Sequence, residues 1–199
     1  MKKVIALILS LLLVFSLMTG CTSGSSNDPA PAPQPDPESI PNVKEAEDGG
    51  VFDGRIGETI RTYFFDFKIN EAYLCNEYHG FTPQDGNVLL VVNIDIENLM
   101  NSSIPMSDLD FQAQWGDDAP DAYAWPITSD PETMDDRGTL CAEQLPYEYQ
   151  LAVGEKRTGE LVYEVPEGFT DFSISTMDDF ADSDEDGDLY FVYFTPGYM

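Results

Sequence analysis

The chain has 199 residues, of which 37 are Asp or Glu and 9 are Lys or Arg, so its formal net charge is −28 at pH 7. This balance excludes nucleic acid as a partner, because binding a phosphate backbone requires a basic surface that so few scattered basic residues do not supply. The same charge repels anionic lipid headgroups within a Debye length of about 8 Å. Solubility is the simplest consequence of this acidity, and attraction of cations is the more specific one.

The N-terminus has the three parts of an export signal. Lys2 and Lys3 supply positive charge, and the apolar run from Val4 to Leu17 is shorter than the roughly 20 residues that span a bilayer. Residues 17–21 read LMTGC and resemble the lipobox of bacterial lipoproteins. An ordinary secretory signal with a nearby cysteine is the alternative. Residues 1–20 are therefore predicted to be a lipoprotein signal peptide, and lipidation of Cys21 would anchor the protein in the cell membrane, facing the extracellular side.

Residues 21–50 are predicted to form a lipidated, flexible linker. Most of this stretch reads SGSSNDPAPAPQPDPESIPN and shows no apolar face at helical or strand spacing. Alternating prolines favour extended polyproline II, which rises about 3.1 Å per residue and would hold a domain away from the membrane. A ligand for SH3-type domains is the alternative, although that recognition is mostly intracellular.

Residues 51–199 have the length of one domain that can bury a core. Their apolar residues recur mainly at period two, which is typical of strands. The run from Val88 to Val92 is apolar on both faces, so it predicts the most buried, central strand, which continues through the alternating residues 93–97. The other predicted strands cover residues 59–69, 72–75, 108–115, 148–153, 160–165, 171–175 and 189–195.

About eight short strands without a helical period predict an all-β fold. Turn signals at residues 84–87 and 166–168 separate some of the strands. In a domain of this size the pattern favours an antiparallel β-sandwich, in which two sheets bury their inner faces against each other. A closed barrel is the alternative.

Four segments resemble, in this order, a family of uncharacterised Gram-positive lipoproteins with an immunoglobulin-like domain. They are GETIRTYFFDF at 57–67, YHGFTPQDGNVLLVVNIDIEN at 78–98, DFQAQWG at 110–116 and TGELVYEVPEG at 158–168. That family is similar in fold to the mycobacterial secreted immunoprotective antigen. The resemblance implies an immunoglobulin-like sandwich at the cell surface and carries over no catalytic residue. The acidic residues 182–188 depart from the shared motifs.

Cys75 and Cys141 are the only cysteines that remain once Cys21 is lipidated. An oxidising exterior favours a disulfide between them, which would close a loop of roughly 65 residues and stabilise the fold by about 4 kcal/mol in the chain-entropy model. Two separate buried thiols are the alternative. A C-x-x-C redox or zinc pattern is absent from the sequence, and neither thiol is predicted to act as a nucleophile.

Catalytic patterns are weak throughout the chain. His79 is the only histidine, and no G-x-S-x-G motif accompanies it. Pairs of carboxylates suited to glycoside hydrolysis are available, but among 37 acidic residues their presence carries no information. The sequence therefore predicts a protein that is not an enzyme.

An acidic segment near the C-terminus is the best candidate for a metal site in the sequence. Asp182, Asp184, Asp186 and the following glycine match the opening of the calcium-loop pattern D-x-[DN]-x-[DN]-G, and Asp188 adds a fourth carboxylate. Position twelve of that pattern requires a bidentate glutamate, but the chain has Tyr193 there. We therefore predict a solvated acidic turn and no cofactor. Weak Ca²⁺ binding, with Kd of about 10⁻⁴ to 10⁻³ M and a carboxylate borrowed from elsewhere, is the alternative.

Two classes of function fit these features. The first is a non-enzymatic surface module that binds a protein or glycan ligand through one face or loop end of the sandwich. The second is a calcium-dependent structural or sensor module of the cell envelope. An exposed aromatic patch would favour the first, since exposed Tyr and Trp stack on sugars or anchor protein partners. Carboxylates that converge within about 5 Å of one point would favour the second.

Overall fold

The computed structural model describes residues 43–45, 50–116, 122–178 and 187–199, the first of these segments by its backbone only. The predicted signal peptide, Cys21 and the three aspartates Asp182, Asp184 and Asp186 lie outside the described residues. Among the helices of the described residues, none is both long enough and apolar enough to cross a membrane.

Strands dominate the described part of the chain. Thirteen are present there, together with one short 3₁₀ helix, Asp108–Asp110. The strands are β1 (Val43–Glu45), β2 (Val51–Arg55), β3 (Thr59–Arg61), β4 (Phe65–Cys75), β5 (Asn87–Asn98), β6 (Ile104–Ser107), β7 (Gln112–Trp115), β8 (Tyr123–Ala124), β9 (Glu148–Leu151), β10 (Lys156–Pro166), β11 (Phe172–Met177), β12 (Leu189–Phe194) and β13 (Gly197–Tyr198).

The first sheet has the order β1-β3-β4-β5-β10, and β13 pairs with β4. Strand β5 is antiparallel to both of its neighbours, β4 and β10. Its residues Val88 to Val92 are at most 2% exposed, because both faces of this strand are covered. The prediction of a central strand buried on both faces is confirmed. Strand β1, which the sequence places in the linker, pairs in parallel with β3 at the edge of this sheet.

The second sheet has the order β2-β12-β11-β7-β8. Strand β11 is antiparallel to β12 and β7, and β2 is parallel to β12 at the edge. Strands β6 and β9 form a separate antiparallel pair. The described strands form two main sheets and not one closed sheet, so they do not form the alternative barrel; Pro126 and Gln144 make isolated bridges to the outer edge of β10.

The core lies between the inner faces of the two sheets. Phe65 and Phe67 of the first sheet contact Phe111, which precedes β7 of the second, with ring centroids 5.9 and 5.8 Å apart. Tyr163 of β10 is fully buried and donates its hydroxyl to the carbonyl of Phe111 at 3.2 Å. Apolar burial between two sheets is the main stabilising contribution in this architecture. The predicted all-β, immunoglobulin-like sandwich is confirmed.

The single strand predicted at residues 59–69 is wrong, because the chain reverses at Thr62. The hydroxyl of Thr62 accepts hydrogen bonds from the backbone N–H groups of Phe64 and Phe65, both at 3.1 Å. A threonine side chain thus makes the turn that Gly or Pro usually signals. Strand β4 then runs unbroken to Cys75, with an irregular register between Ile69 and Glu71 where the sequence pattern appeared to end.

The strand predicted at residues 108–115 begins too early. Ser107 caps the 3₁₀ helix: its hydroxyl accepts from the Leu109 N–H at 3.2 Å, and its own N–H donates to the Asp110 carboxylate at 2.7 Å. This reciprocal capping box outweighs the alternating pattern, which becomes a strand only from Gln112 onward.

Candidate functional site

The outer face of the second sheet carries two aromatic side chains of β12. Because successive strand residues point to opposite sides, Tyr190, Val192 and Phe194 enter the core, while Phe191 and Tyr193 face outward. The rings of Phe191 and Tyr193 lie nearly parallel, 18° between planes, with centroids 5.9 Å apart. Tyr193 is 40% exposed. A flat aromatic surface therefore lies on the outside of the sandwich.

A cation borders this surface on one side. Arg55 of β2 is opposite Tyr193 in the strand register, and its guanidinium carbon lies 5.3 Å from the centroid of the tyrosine ring. This distance is within the range of a cation–π contact. The arginine therefore orients the ring and lines the edge of the aromatic surface.

Hydroxyl and amide groups border the aromatic surface on the other side. Ser173 and Ser175 of β11 are opposite Tyr193 and Phe191 in the register, so all four side chains point to the outer face, but the two serines are only 4% and 7% exposed. Gln114 and Gln112 of β7 come next, and the Gln114 amide donates to the Gln112 side-chain oxygen at 2.7 Å. We call this set the aromatic face; it consists of Arg55, Phe191, Tyr193, Ser173, Ser175, Gln112, Gln114 and, opposite Gln114 on β8, the exposed Tyr123.

Asp188 and Asp178 act as hydrogen-bond acceptors at the end of the second sheet. Asp188 accepts from the Gly50 N–H at 2.8 Å, and Asp178 accepts from the Tyr190 hydroxyl at 2.8 Å and the Tyr63 N–H. Burial raises the pKa of Asp178, and repulsion by Asp188 adds to that rise, while its hydrogen bonds oppose it. Since the other three aspartates lie outside the described residues, both the solvated turn and the calcium alternative stay predictions.

Cys75 and Cys141 are free thiols in the structure. Both belong to a second apolar cluster that lies on the outer face of the first sheet, away from the main core. Burial raises the pKa of the Cys75 thiol. The predicted bridge between the two stays a prediction for the exported protein. The second cluster consists of Cys75, Tyr78, Leu89, Val91 and Val162, with Tyr73, Phe81, Ile127 and Cys141 packed against it.

At the solvent edge of the second cluster, three side chains of different chemistry converge. One ring nitrogen of His79, the sulfur of Cys141 and one carboxylate oxygen of Glu143 all lie within 4.8 Å of one another. His79 and Glu143 are exposed, and Cys141 is partly buried. This group was not predicted from the sequence, because His79 is more than 60 residues from Cys141 and Glu143 and the three form no motif. The only signal in the sequence was that histidine and cysteine are both rare in this chain, with one His and three Cys.

The greater part of the chain matches the model of one protein family. Residues 54–186 match the model of a family described as Domain of unknown function (DUF4352). These residues include the aromatic face except β12, and they include His79, Cys141 and Glu143. No curated protein matches the chain.

Similar solved structures include proteins from Bacillus subtilis and Clostridium difficile. A Bacillus subtilis protein called a "putative lipoprotein (ycdA)" is 16% identical with a TM-score of 0.47, over 67% of this chain and 37% of its own length. The Bacillus subtilis yjhA protein is 20% identical with a TM-score of 0.46, over 70% of this chain and 99% of its own. An uncharacterised β-sandwich protein from Clostridium difficile is 16% identical with a TM-score of 0.40, over 76% and 99%. The chain thus spans little more than a third of the first of these proteins.

Proposed function

This chain belongs to the DUF4352 family, and we propose that it is a lipid-anchored, non-enzymatic surface module that binds uncharged polysaccharide of the cell envelope through its aromatic face. The observation that carries the proposal is the pair of parallel, outward rings of Phe191 and Tyr193 beside a row of serine and glutamine side chains. The tether predicted at Cys21 and the proline-rich linker would place this face in the envelope.

The chemistry of the face favours a sugar over other ligands. A pyranose ring presents a flat array of C–H groups that packs on an aromatic ring, and its hydroxyls need donors and acceptors at the rim of that contact. Gln112 and Gln114 supply both kinds of group, and the hydrogen bond between their side chains holds the two amides next to each other. A face made of aromatic rings and partly exposed amides therefore matches a saccharide without requiring a charged ligand.

The charge of the protein selects against anionic polymers. With a net charge of −28, the chain repels polyanions such as phosphate-bearing wall polymers over a Debye length of about 8 Å. Arg55 is the one cation at the aromatic face among the described residues, and its guanidinium lies over Tyr193. An uncharged glycan avoids this repulsion and uses the ring surface directly.

The test compares two exposed tyrosines of the full-length chain. Tyr193 lies on the aromatic face, whereas Tyr198 is 64% exposed and belongs to β13, which pairs with the first sheet. We expect Tyr193→Ala to weaken binding to cell-wall polysaccharide stripped of its anionic polymers by about tenfold, as for a central aromatic contact, and Tyr198→Ala to leave it unchanged. The measurement is a sedimentation binding curve with the insoluble polysaccharide.

Three results would overturn the proposal. Equal binding of the wild type and Tyr193→Ala would show that the aromatic face is not the contact surface. Loss of wild-type binding after protease treatment of the wall material would point to a protein ligand and remove the glycan assignment. Stronger binding to material that retains its anionic polymers would contradict the charge argument.

A further inference from the structure

We propose that His79, Cys141 and Glu143 form a binding site for a borderline transition-metal ion, with Zn²⁺ as the best match. The site lies over the first sheet and is independent of the aromatic face. Its donor atoms, one nitrogen, one sulfur and one oxygen, lie within 4.8 Å of one another. Ligands at about 2.0–2.3 Å from a tetrahedral zinc ion are about 3.3–3.8 Å apart, so the three side chains need to approach by about 1 Å.

The turn that carries His79 is pre-organised. Tyr78 and Phe81 exchange two backbone hydrogen bonds of 2.9 Å, and the residues between them, His79 and Gly80, have φ of 49° and 86°. Two central residues with positive φ are the signature of a type I′ hairpin turn, and histidine is among the side chains that tolerate this region. The Glu77 carboxylate accepts from the Gly80 N–H at 2.9 Å and fixes the turn further. The His79 side chain is therefore attached to a turn whose backbone is held by three hydrogen bonds.

The segment that carries Cys141 and Glu143 is held to β10. The Glu160 N–H donates to the Glu143 carbonyl at 2.8 Å, and the Leu145 N–H donates to the Glu160 carbonyl at 2.9 Å. Close approach depends on Gly159, where a Cβ would lie 2.5 Å from a methyl carbon of Leu145 and 3.2 Å from the Glu143 carbonyl. Because Gly159 has no side chain, the segment that carries Cys141 and Glu143 can pack closely against β10. This packing places both residues beside the turn that carries His79.

A phenol lies behind the sulfur ligand. The Tyr78 hydroxyl is 3.0 Å from the Cys141 sulfur and donates to a Glu160 carboxylate oxygen at 2.7 Å. In the contact between the Tyr78 hydroxyl and the Cys141 sulfur either group can be the donor, and a Cys141 thiolate would accept from the hydroxyl. Hydrogen-bonded groups behind the ligands of a metal orient them and commonly change affinity by 10–100-fold. Tyr78 is a positioning residue of this kind, since only 5% of it is exposed.

The donor set selects the metal. A thiolate is a soft ligand that Zn²⁺ and similar ions accept, whereas Ca²⁺ takes oxygen ligands only. Cys141 loses its proton to the solvent on binding, and its thiolate and the Glu143 carboxylate together balance the charge of a divalent ion. Three protein ligands leave a fourth tetrahedral position for water. A Cys75–Cys141 disulfide would remove the sulfur ligand, so metal binding and the bridge are mutually exclusive.

Cobalt spectroscopy of the reduced full-length chain tests the sulfur ligand. Titration with Co²⁺ should give a thiolate-to-cobalt charge-transfer band in the near ultraviolet that saturates at one equivalent. Zn²⁺ should abolish the band, and a large excess of Ca²⁺ should not. The matched pair is Cys141→Ala, which should lose the band, and Cys75→Ala, which should keep it. A wild type without the band, or a band that survives in Cys141→Ala, would overturn the proposal.

Competition with a chromophoric zinc chelator tests the other two ligands. His79→Asn keeps a side chain that tolerates positive φ, and Glu143→Gln keeps the shape of the glutamate. Each should lower the affinity for Zn²⁺ by at least tenfold, and wild-type affinity should rise with pH because the thiol must lose a proton. Metal-free melting curves that match the wild type show that each variant is folded. Wild-type affinity in either folded variant would refute the assigned ligand set.

Discussion

The outer faces of the two sheets differ although the strands beneath them look alike in sequence. On the first sheet, Leu89 and Val91 of β5 point away from the main core and are still fully buried, because Tyr78, Ile127 and Cys141 lie over them. On the second sheet, Phe191 and Tyr193 of β12 also point away from the core, but Tyr193 remains 40% exposed. The outer face of the first sheet has become a second core. On the second sheet the burial of the outer face is uneven, because Tyr193 is 40% exposed while Ser173 and Ser175 of the neighbouring strand are only 4% and 7% exposed.

This difference shows that a continuous apolar run in a β-sandwich can belong either to a strand covered on both faces or to a strand whose outer face is partly exposed. The segment VLLVV of β5 is aliphatic, and aliphatic side chains on an outer face gain most from a covering segment. The segment LYFVYF of β12 is aromatic on the same face, and such side chains can meet water and a ligand together. The spacing of the apolar residues is the same in both strands, so it does not distinguish the covered face from the face on which Tyr193 is exposed.

The largest expected effect comes from truncating matched leucines on the two outer faces. Leu89→Ala opens a cavity under the covering residues and should lower the free energy of unfolding by about 2–5 kcal/mol. Leu189→Ala, at the partly exposed end of β12, should cost about 1 kcal/mol or less. Urea unfolding of both variants measures the difference. Equal losses would mean that the two outer faces are covered to the same extent.

The second prediction concerns the residue that anchors the covering segment. Asp108 is 1% exposed and accepts hydrogen bonds from the hydroxyls of Thr128 and Ser129, which follow Ile127 of the second cluster. Burial raises the pKa of Asp108 to about 6 against the opposing effect of those hydrogen bonds. The pKa is thus higher in the folded state than in the unfolded state. Its stabilising contribution is complete below about pH 4 and is lost as the pH rises through about 6.

Asp108→Asn isolates this effect because asparagine imitates the protonated carboxyl. Relative to the wild type, the variant should gain about 2–3 kcal/mol in free energy of unfolding as the pH rises from 4 to 7. Denaturant titrations of both proteins across this range provide the measurement, and Glu167→Gln is the control at an exposed carboxylate. A difference between Asp108→Asn and wild type that does not change with pH would show that the carboxyl ionises normally.

The two faces also show how far the sequence alone can lead. Period two and the aliphatic run of β5 follow from local pattern, so the sheet class and the central strand were predicted correctly. The turn at Thr62 and the cap at Ser107 depend on single side-chain hydrogen bonds that compete with the strand pattern, and both were missed. The spacing of apolar residues does not reveal hydrogen bonds made by single side chains, so a prediction based on that spacing does not include them.

The candidate sites needed tertiary structure for a different reason. His79 and Cys141 meet because a hairpin turn and a long covering segment cross the same sheet face, and no sequence spacing encodes that crossing. The partial exposure of Tyr193 likewise depends on which segments pack on the second sheet, and no sequence spacing encodes that packing. The strand containing Tyr193 was predicted, but its outward environment could not be.

The smallest expected effect concerns Arg55, and it tests whether contacts on the outer face of the second sheet stabilise the fold. If the aromatic face contributes little to stability, the contact between the guanidinium and Tyr193 should be a weak, exposed cation–π interaction of about 0.5–1 kcal/mol. A double-mutant cycle with Arg55→Met and Tyr193→Ala, measured by urea unfolding, gives the coupling directly. Methionine retains the apolar length of the arginine, so the cycle reports its charge. Coupling above about 2 kcal/mol would place this pair among the structural contacts of the fold, and the outer face of the second sheet would then resemble that of the first.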